Sequence, residues 1–135
     1  MTRGHLPIEH TADCGIQAWA QDLPGLLEEC AVGMFELMFS AVPAVASIEV
    51  EATGSTHEEV LVGWLSELLY VAETRGLVLS AFTVDSASAE VVEGRVGGVP
   101  LTAARARGTP IKAVTHHGLE VRHDGVWRAR VIFDA

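Results

Sequence analysis

The chain has 135 residues, with Lys+Arg 9 against Asp+Glu 18 and a formal net charge of −9. That length suits one domain over residues 1–135, with a core large enough to do without disulfides or a structural metal. A hydrophobic fraction of 49% with 20% charge excludes a disordered chain. No apolar run reaches bilayer length, and so acidic a surface disfavours strong direct binding to nucleic acid while suiting a cation or a basic partner.

Met1-Thr2-Arg3-Gly4-His5 has no apolar stretch behind it, so no secretory signal is expected and a cytoplasmic location follows. Glu9-His10-Thr11-Ala12-Asp13 stands just ahead of the first expected strand, Gly15–Ala20, and sets a carboxylate and an imidazole among small residues. Asp22 offers an N-cap and Pro24 falls in a first turn. Leu23, Leu26, Leu27, Cys30, Ala31, Met34, Phe35 and Met38 then recur at helical spacing, predicting a helix over 23–39 in which Gly33 permits close packing. Pro43 stops it, and Val45–Ala52 alternates as a strand. Thr56-His57-Glu58-Glu59 reads as a capping box for a second amphipathic helix over 57–75, closed by Gly76. His57 is expected to be exposed in its first turn, and Trp64 and Tyr70 to be large packing residues.

From Leu77 the chain reads as β. Leu77–Val84 and Ala87–Val96 are two expected strands joined by Asp85-Ser86, with Gly97-Gly98 as a turn and Leu101–Gly108 ambiguous. Leu119–Arg122 and Val126–Asp134 form an expected hairpin about His123-Asp124-Gly125. Alternation puts Trp127, Ala129, Val131 and Phe133 on one face of its second strand, and Val126, Arg128, Arg130, Ile132 and Asp134 on the other. Two helices among six to eight strands, not strictly alternating, predict an α+β fold: two amphipathic helices packed on a mostly antiparallel or mixed sheet.

The chemistry-bearing candidates lie near the two ends. If the first and last strands share a sheet, Asp13 and Asp134 meet. Two such carboxylates repel unless one is protonated or a cation lies between them. Calcium and magnesium take oxygen ligands of this kind, and the carboxylate of Ala135 adds a further one. Lys112 and His116-His117 invite a metal or acid–base reading, although adjacent residues of an extended segment face opposite ways and should not hold one ion together. Cys14 and Cys30 lack paired metal-ligand spacing; Cys30 reads as core. Arg95, Arg105, Arg107, Arg122, Arg128 and Arg130 suggest a basic patch within the acidic whole. No Gly-x-x-x-x-Gly-Lys loop and no Gly-x-Ser-x-Gly elbow occurs.

His10-Thr11-Ala12-Asp13-x-Gly15-Ile16, Leu26-x-Glu28-x-x-Ala31-x-x-Met34-Phe35, Trp64-Leu65-x-Glu67-Leu68-Leu69-Tyr70, Lys112-Ala113-Val114-Thr115-x-His117 and Val131-Ile132-Phe133-Asp134, in that order along nearly the whole chain, resemble the archease family. The resemblance implies a small acidic protein that is not itself an enzyme. It would activate an RtcB-type RNA ligase of tRNA splicing and RNA repair, promoting the ligase–guanylate intermediate and multiple turnover. A role as chaperone for a tRNA methyltransferase is also implied. The implied metal ligands are Asp13, Asp134 and, through a backbone oxygen, Ala135, with calcium the expected ion. His10, Lys112 and His117 are expected around that site or at a partner contact. Cys14 stands where an aliphatic residue is more usual, His116 where an aromatic is common, and Ala135 where a larger aliphatic residue closes the chain. Residues 98–109 lack the acidic and histidine residues expected there. Two alternatives stay open: a metal-dependent phosphoester hydrolase with Asp13 as ligand and His117 as base, and a general chaperone whose metal is structural.

Overall fold

The computed structural model describes residues 3–9 and 14–135. Strands β1 (Gly4–Glu9) and β2 (Cys14–Ala20) are followed by helix α1 (Leu23–Met38), strand β3 (Ile48–Thr53) and helix α2 (His57–Arg75). The chain then runs through β4 (Leu77–Ala87), β5 (Val91–Pro100), a short 3-10 turn at Leu101–Ala103, β6 (Ala113–Val114), β7 (Glu120–His123) and β8 (Trp127–Asp134). The α+β class is as expected, and every strand pairing among the described residues is antiparallel.

The strands divide into two sheets. The first has β8 at its centre: β2 pairs along one edge, β1 lies outside β2, and β6 and β7 share the other edge. The second has the order β3-β5-β4. Each helix touches both sheets: α1 packs on β1, β2, β8 and β4, and α2 on β3, β4, β5, β6 and β7. One apolar cluster runs through the molecule, from Ile16, Val131 and Phe133 through Leu26, Met34, Leu61 and Leu65 to Val92 and Val96. Cys30 is fully buried within it, and burial pushes its thiol pKa up.

Local sequence accounts for the helix boundaries. Asp22 accepts a hydrogen bond from the Gly25 N–H at 2.8 Å, and Thr56 accepts one from the Glu59 N–H at 3.1 Å, so each cap satisfies an orphan donor. The Glu59 carboxylate reaches back one residue further than a capping box requires, to the Ser55 N–H at 2.9 Å. Gly76 closes α2 at φ 63, where a side chain would be strained. Fully buried Trp64 joins the helices by donating Nε1–H to the Leu27 carbonyl at 3.0 Å.

Several expectations need correction. Strand β1 was not foreseen; it is an edge strand, where the N–H that Pro7 lacks is not needed. The connection from α1 to β3 runs longer than expected, because β3 starts at Ile48 rather than Val45. Gly97 and Gly98 form no turn. They lie inside β5, opposite Ala81 and Leu79, where a side chain would collide with the Val45 and Val78 carbonyls. Asp85 and Ser86 lie inside β4, and the chain reverses at 88–90. Tyr70 is 62% exposed rather than packed. His57 is half-buried, its ring edge-on to Trp127 at 5.0 Å.

Candidate functional site

The C-terminal end of β8 gathers several of the candidate residues. The N–H of Lys112 donates to the Asp134 carbonyl at 2.7 Å, and Ala113 pairs with Asp134 in register. Thr115 follows: both its N–H and its hydroxyl donate to the Ile132 carbonyl, at 3.0 and 2.9 Å. Its hydroxyl oxygen also accepts from the His117 N–H at 3.3 Å. The segment from Lys112 to His117 thus runs along the end of the strand that carries Asp134. Asp134, Ala135, Lys112 and His117 are all exposed.

On the other edge of β8, Cys14 pairs with Phe133. The residue after Asp13 therefore lies directly beside the residue before Asp134. His10 and Asp13 themselves lie outside the described residues, as do Thr11 and Ala12 between them. Among the described residues no group of three or more His, Cys, Asp or Glu side chains is placed to hold a metal ion, and no cationic side chain among them pairs with the Asp134 carboxylate. The Asp134 carboxylate is an oxygen donor of the kind a hard divalent cation prefers. His116 and His117 follow Thr115 outside any strand, and neither has an ion-pair partner among the described residues.

Lys112 also borders an open groove of about 460 Å³ between the C-terminal ends of the helices, where Met38, Leu69 and Leu101 supply apolar walls and Glu73 a carboxylate.

A second constellation was missed from sequence. His5 of β1 is set between two carboxylates of α1: its Nδ1 lies 2.8 Å from Glu29 Oε1 and its Nε2 lies 2.7 Å from Glu36 Oε1. With an acceptor at each nitrogen the ring is held as the doubly protonated imidazolium. Burial pulls its pKa down, but the hydrogen bonds and charges of Glu29 and Glu36 outweigh that and leave it raised. Gly33 makes the approach possible, because a side chain there would press on the imidazole. Arg3 adds to the clamp through Glu28 and Glu29, the latter at 2.9 Å. Glu28 in turn accepts from the Val84 N–H at 2.8 Å, tying the cluster to the second sheet. The signal in the sequence was Glu29, Gly33 and Glu36 at i, i+4 and i+7, two acids flanking a glycine on one helix face. The clamp fixes β1, which leads into the stretch holding His10 and Asp13.

The six arginines do not form one patch. Arg95 pairs with Asp85 on the second sheet, with contacts of 3.1 and 3.0 Å. Arg105 and Arg107 lie in the connection that bonds back to Ser40 and Met38. Arg122, Arg128 and Arg130 share the outer face of the first sheet, as their register with one another and with Glu120 requires.

Fold and site together define a small two-sheet α+β domain whose polar candidates cluster at strand ends, with the start of β2 brought against the end of β8. The model of the archease protein family matches residues 7–135. The chain is 37% identical to an archease of Methanopyrus kandleri, over 94% of this chain and 96% of that protein. It is 35% identical to an archease of Methanothermobacter thermautotrophicus, over 92% and 93%. The solution structure of Methanobacterium thermoautotrophicum protein 1598 superposes with a TM-score of 0.78 at 31% identity, covering 98% of this chain and 99% of that one. The fold also matches a Thermotoga maritima archease described as a possible chaperone, at TM-score 0.61 and 23% identity over 96% of each chain. The chain belongs to the archease family.

Proposed function

We propose that this protein is a non-enzymatic cofactor of an RtcB-type RNA ligase, promoting ligase guanylylation and multiple turnover in tRNA splicing or RNA repair. In this reading a divalent cation, calcium in the first instance, is held by the carboxylates of Asp13 and Asp134 and a main-chain oxygen of Ala135. His10, Lys112 and His117 surround it or meet the ligase.

The observation that carries the reading is the pairing of Cys14 with Phe133. It sets the residue that follows Asp13 beside the residue that precedes Asp134, in a chain that belongs to a family whose resemblance already implied this ligand set. When bound, the cation would supply positive charge to the ligase's nucleotide site. The chain's own residues would do the rest: the β2–β8 ladder would hold the two ends together, and the hydrogen bond from the Lys112 N–H to the Asp134 carbonyl keeps the neighbouring segment in place.

Single- and multiple-turnover ligation by the cognate ligase, with and without this protein, tests the proposal. Stimulation of multiple turnover that is lost in Asp13→Asn and in Asp134→Asn supports it. Full stimulation by folded Asp13→Ala and Asp134→Ala variants leaves the metal a structural part of a chaperone. Phosphoester turnover by the purified protein alone, lost in Asp13→Asn, replaces the reading with a hydrolase.

A further inference from the structure

The outer face of the first sheet is unlike the rest of this acidic chain. Arg122 of β7 and Arg128 of β8 are direct cross-strand partners, and Arg130 follows two residues on along the same face. Like charges placed opposite one another in a sheet destabilise it, so folding alone does not reward this arrangement. Arg122 has only long contacts to Glu120 and Asp124, at 3.6 and 3.8 Å. Arg128 and Arg130 have no ion-pair partner among the described residues, although the chain has 18 Asp+Glu.

Two apolar groups complete the face. Trp19 is the register partner of both Arg128 and Gly4. Its indole occupies the space a side chain at Gly4 would need, so the ring lies across β1. Leu6, next on that face, is 56% exposed. Arginine and tryptophan are the side chains most enriched among residues that dominate protein interfaces.

We infer that this face, centred on Trp19, Arg128 and Arg130 with Leu6 and Arg122 at its edges, docks a carboxylate-rich segment of a partner protein. Charge complementarity selects the occupant. Guanidiniums without ion-pair partners on a sheet face can take carboxylates in paired hydrogen bonds, and the apolar ring and aliphatic chain beside them can take the partner's hydrophobic residues. RNA fits less well: a net charge of −9 repels a phosphate backbone, and Glu120 lies on the same face, opposite Arg130. The surface stands independently of the ligase reading, since it uses none of the proposed metal ligands.

NMR titration of the full chain tests it. The probes are a ten-residue peptide bearing five glutamates, its five-glutamine counterpart, and a single-stranded oligouridylate. The glutamate peptide is expected to shift the Trp19 indole N–H and the Arg128 and Arg130 side-chain N–H resonances at low ionic strength. The glutamine peptide should leave them in place, and added salt should reverse the effect. Arg128→Glu with Arg130→Glu should weaken binding at least about tenfold. If that pair perturbs folding, Arg128→Gln with Arg130→Gln should still weaken it measurably. The inference is overturned if no peptide shifts this face, if the shifts fall elsewhere, or if oligouridylate binds the face more tightly than the glutamate peptide.

Discussion

His5 shows how one side chain can fix the geometry of an element. Its imidazolium occupies two carboxylates of α1 at once, in a notch left by Gly33. His5→Ala removes the bridge and leaves both acids without it, a change expected to cost about 1–3 kcal/mol. The cost should depend on pH. The folded pKa is raised, so the contribution of His5 is complete below its ordinary value of 6.5 and is lost as pH rises through the folded value. Urea denaturation of wild type and variant at a series of pH values measures this: the stability gap should narrow steadily above pH 6.5. A gap constant across that range would mean that His5 contributes packing rather than charge. At the other end of the fold, Asp134 is exposed and available to a cation. If calcium binds as proposed, a hundredfold excess over Kd stabilises the native state by about 2.7 kcal/mol. Thermal melts with and without calcium should show that gain in the wild type and little of it in Asp134→Asn.

At the scale of elements, what could be read from the sequence follows what is local. Both helices were legible almost to the residue, because their apolar period, the caps Asp22 and Thr56 and the stop at Gly76 all act within a few residues. The final hairpin was legible too, and its alternation correctly placed Ala129, Val131 and Phe133 inward. Strand β1 was not, since an edge strand containing Pro7 looks like a loop until its partner is known. Gly97 and Gly98 were misread for the same reason: the carbonyls that demand glycine belong to Val45 and Val78, remote in sequence. Alanine at Gly97 or Gly98 should therefore destabilise by about 3 kcal/mol or more, whereas Thr56→Ala should cost about 1 kcal/mol as a lost cap. Urea melts of the variants give both values, and a mild effect at either glycine would remove the close-approach explanation. Of the candidate site, the sequence showed the strand that ends in Asp134 but not the Lys112 bond to its carbonyl. Nor did it show the clamp on β1, which joins residues 24 and 31 positions apart.

The whole molecule is assembled unevenly. Helices α1 and α2 and the entire second sheet come from one continuous stretch, Leu23 to Pro100. The first sheet is built from both flanks of that stretch, with β8 pairing to β2, β6 and β7 at once. Its closure therefore depends on contacts between the two ends of the chain, the contacts most costly in loop entropy. A cation held between Asp13 and Asp134 would bridge that seam and favour the closed sheet over any state in which β8 has lifted from β2. Amide hydrogen exchange can distinguish this coupling from uniform stabilisation. With calcium at a hundredfold excess over Kd, amides along the β2–β8 ladder, such as Gln17 and its partner Arg130, should exchange up to about a hundredfold more slowly. Amides between β3 and β5, such as Val50 opposite Gly94, should slow much less wherever they open independently of the first sheet. Equal protection in both sheets would show that the fold opens only as a whole. No protection along β2 and β8 would show that the two ends share no cation, because an ion bound across the seam cannot leave the opening of that ladder unchanged.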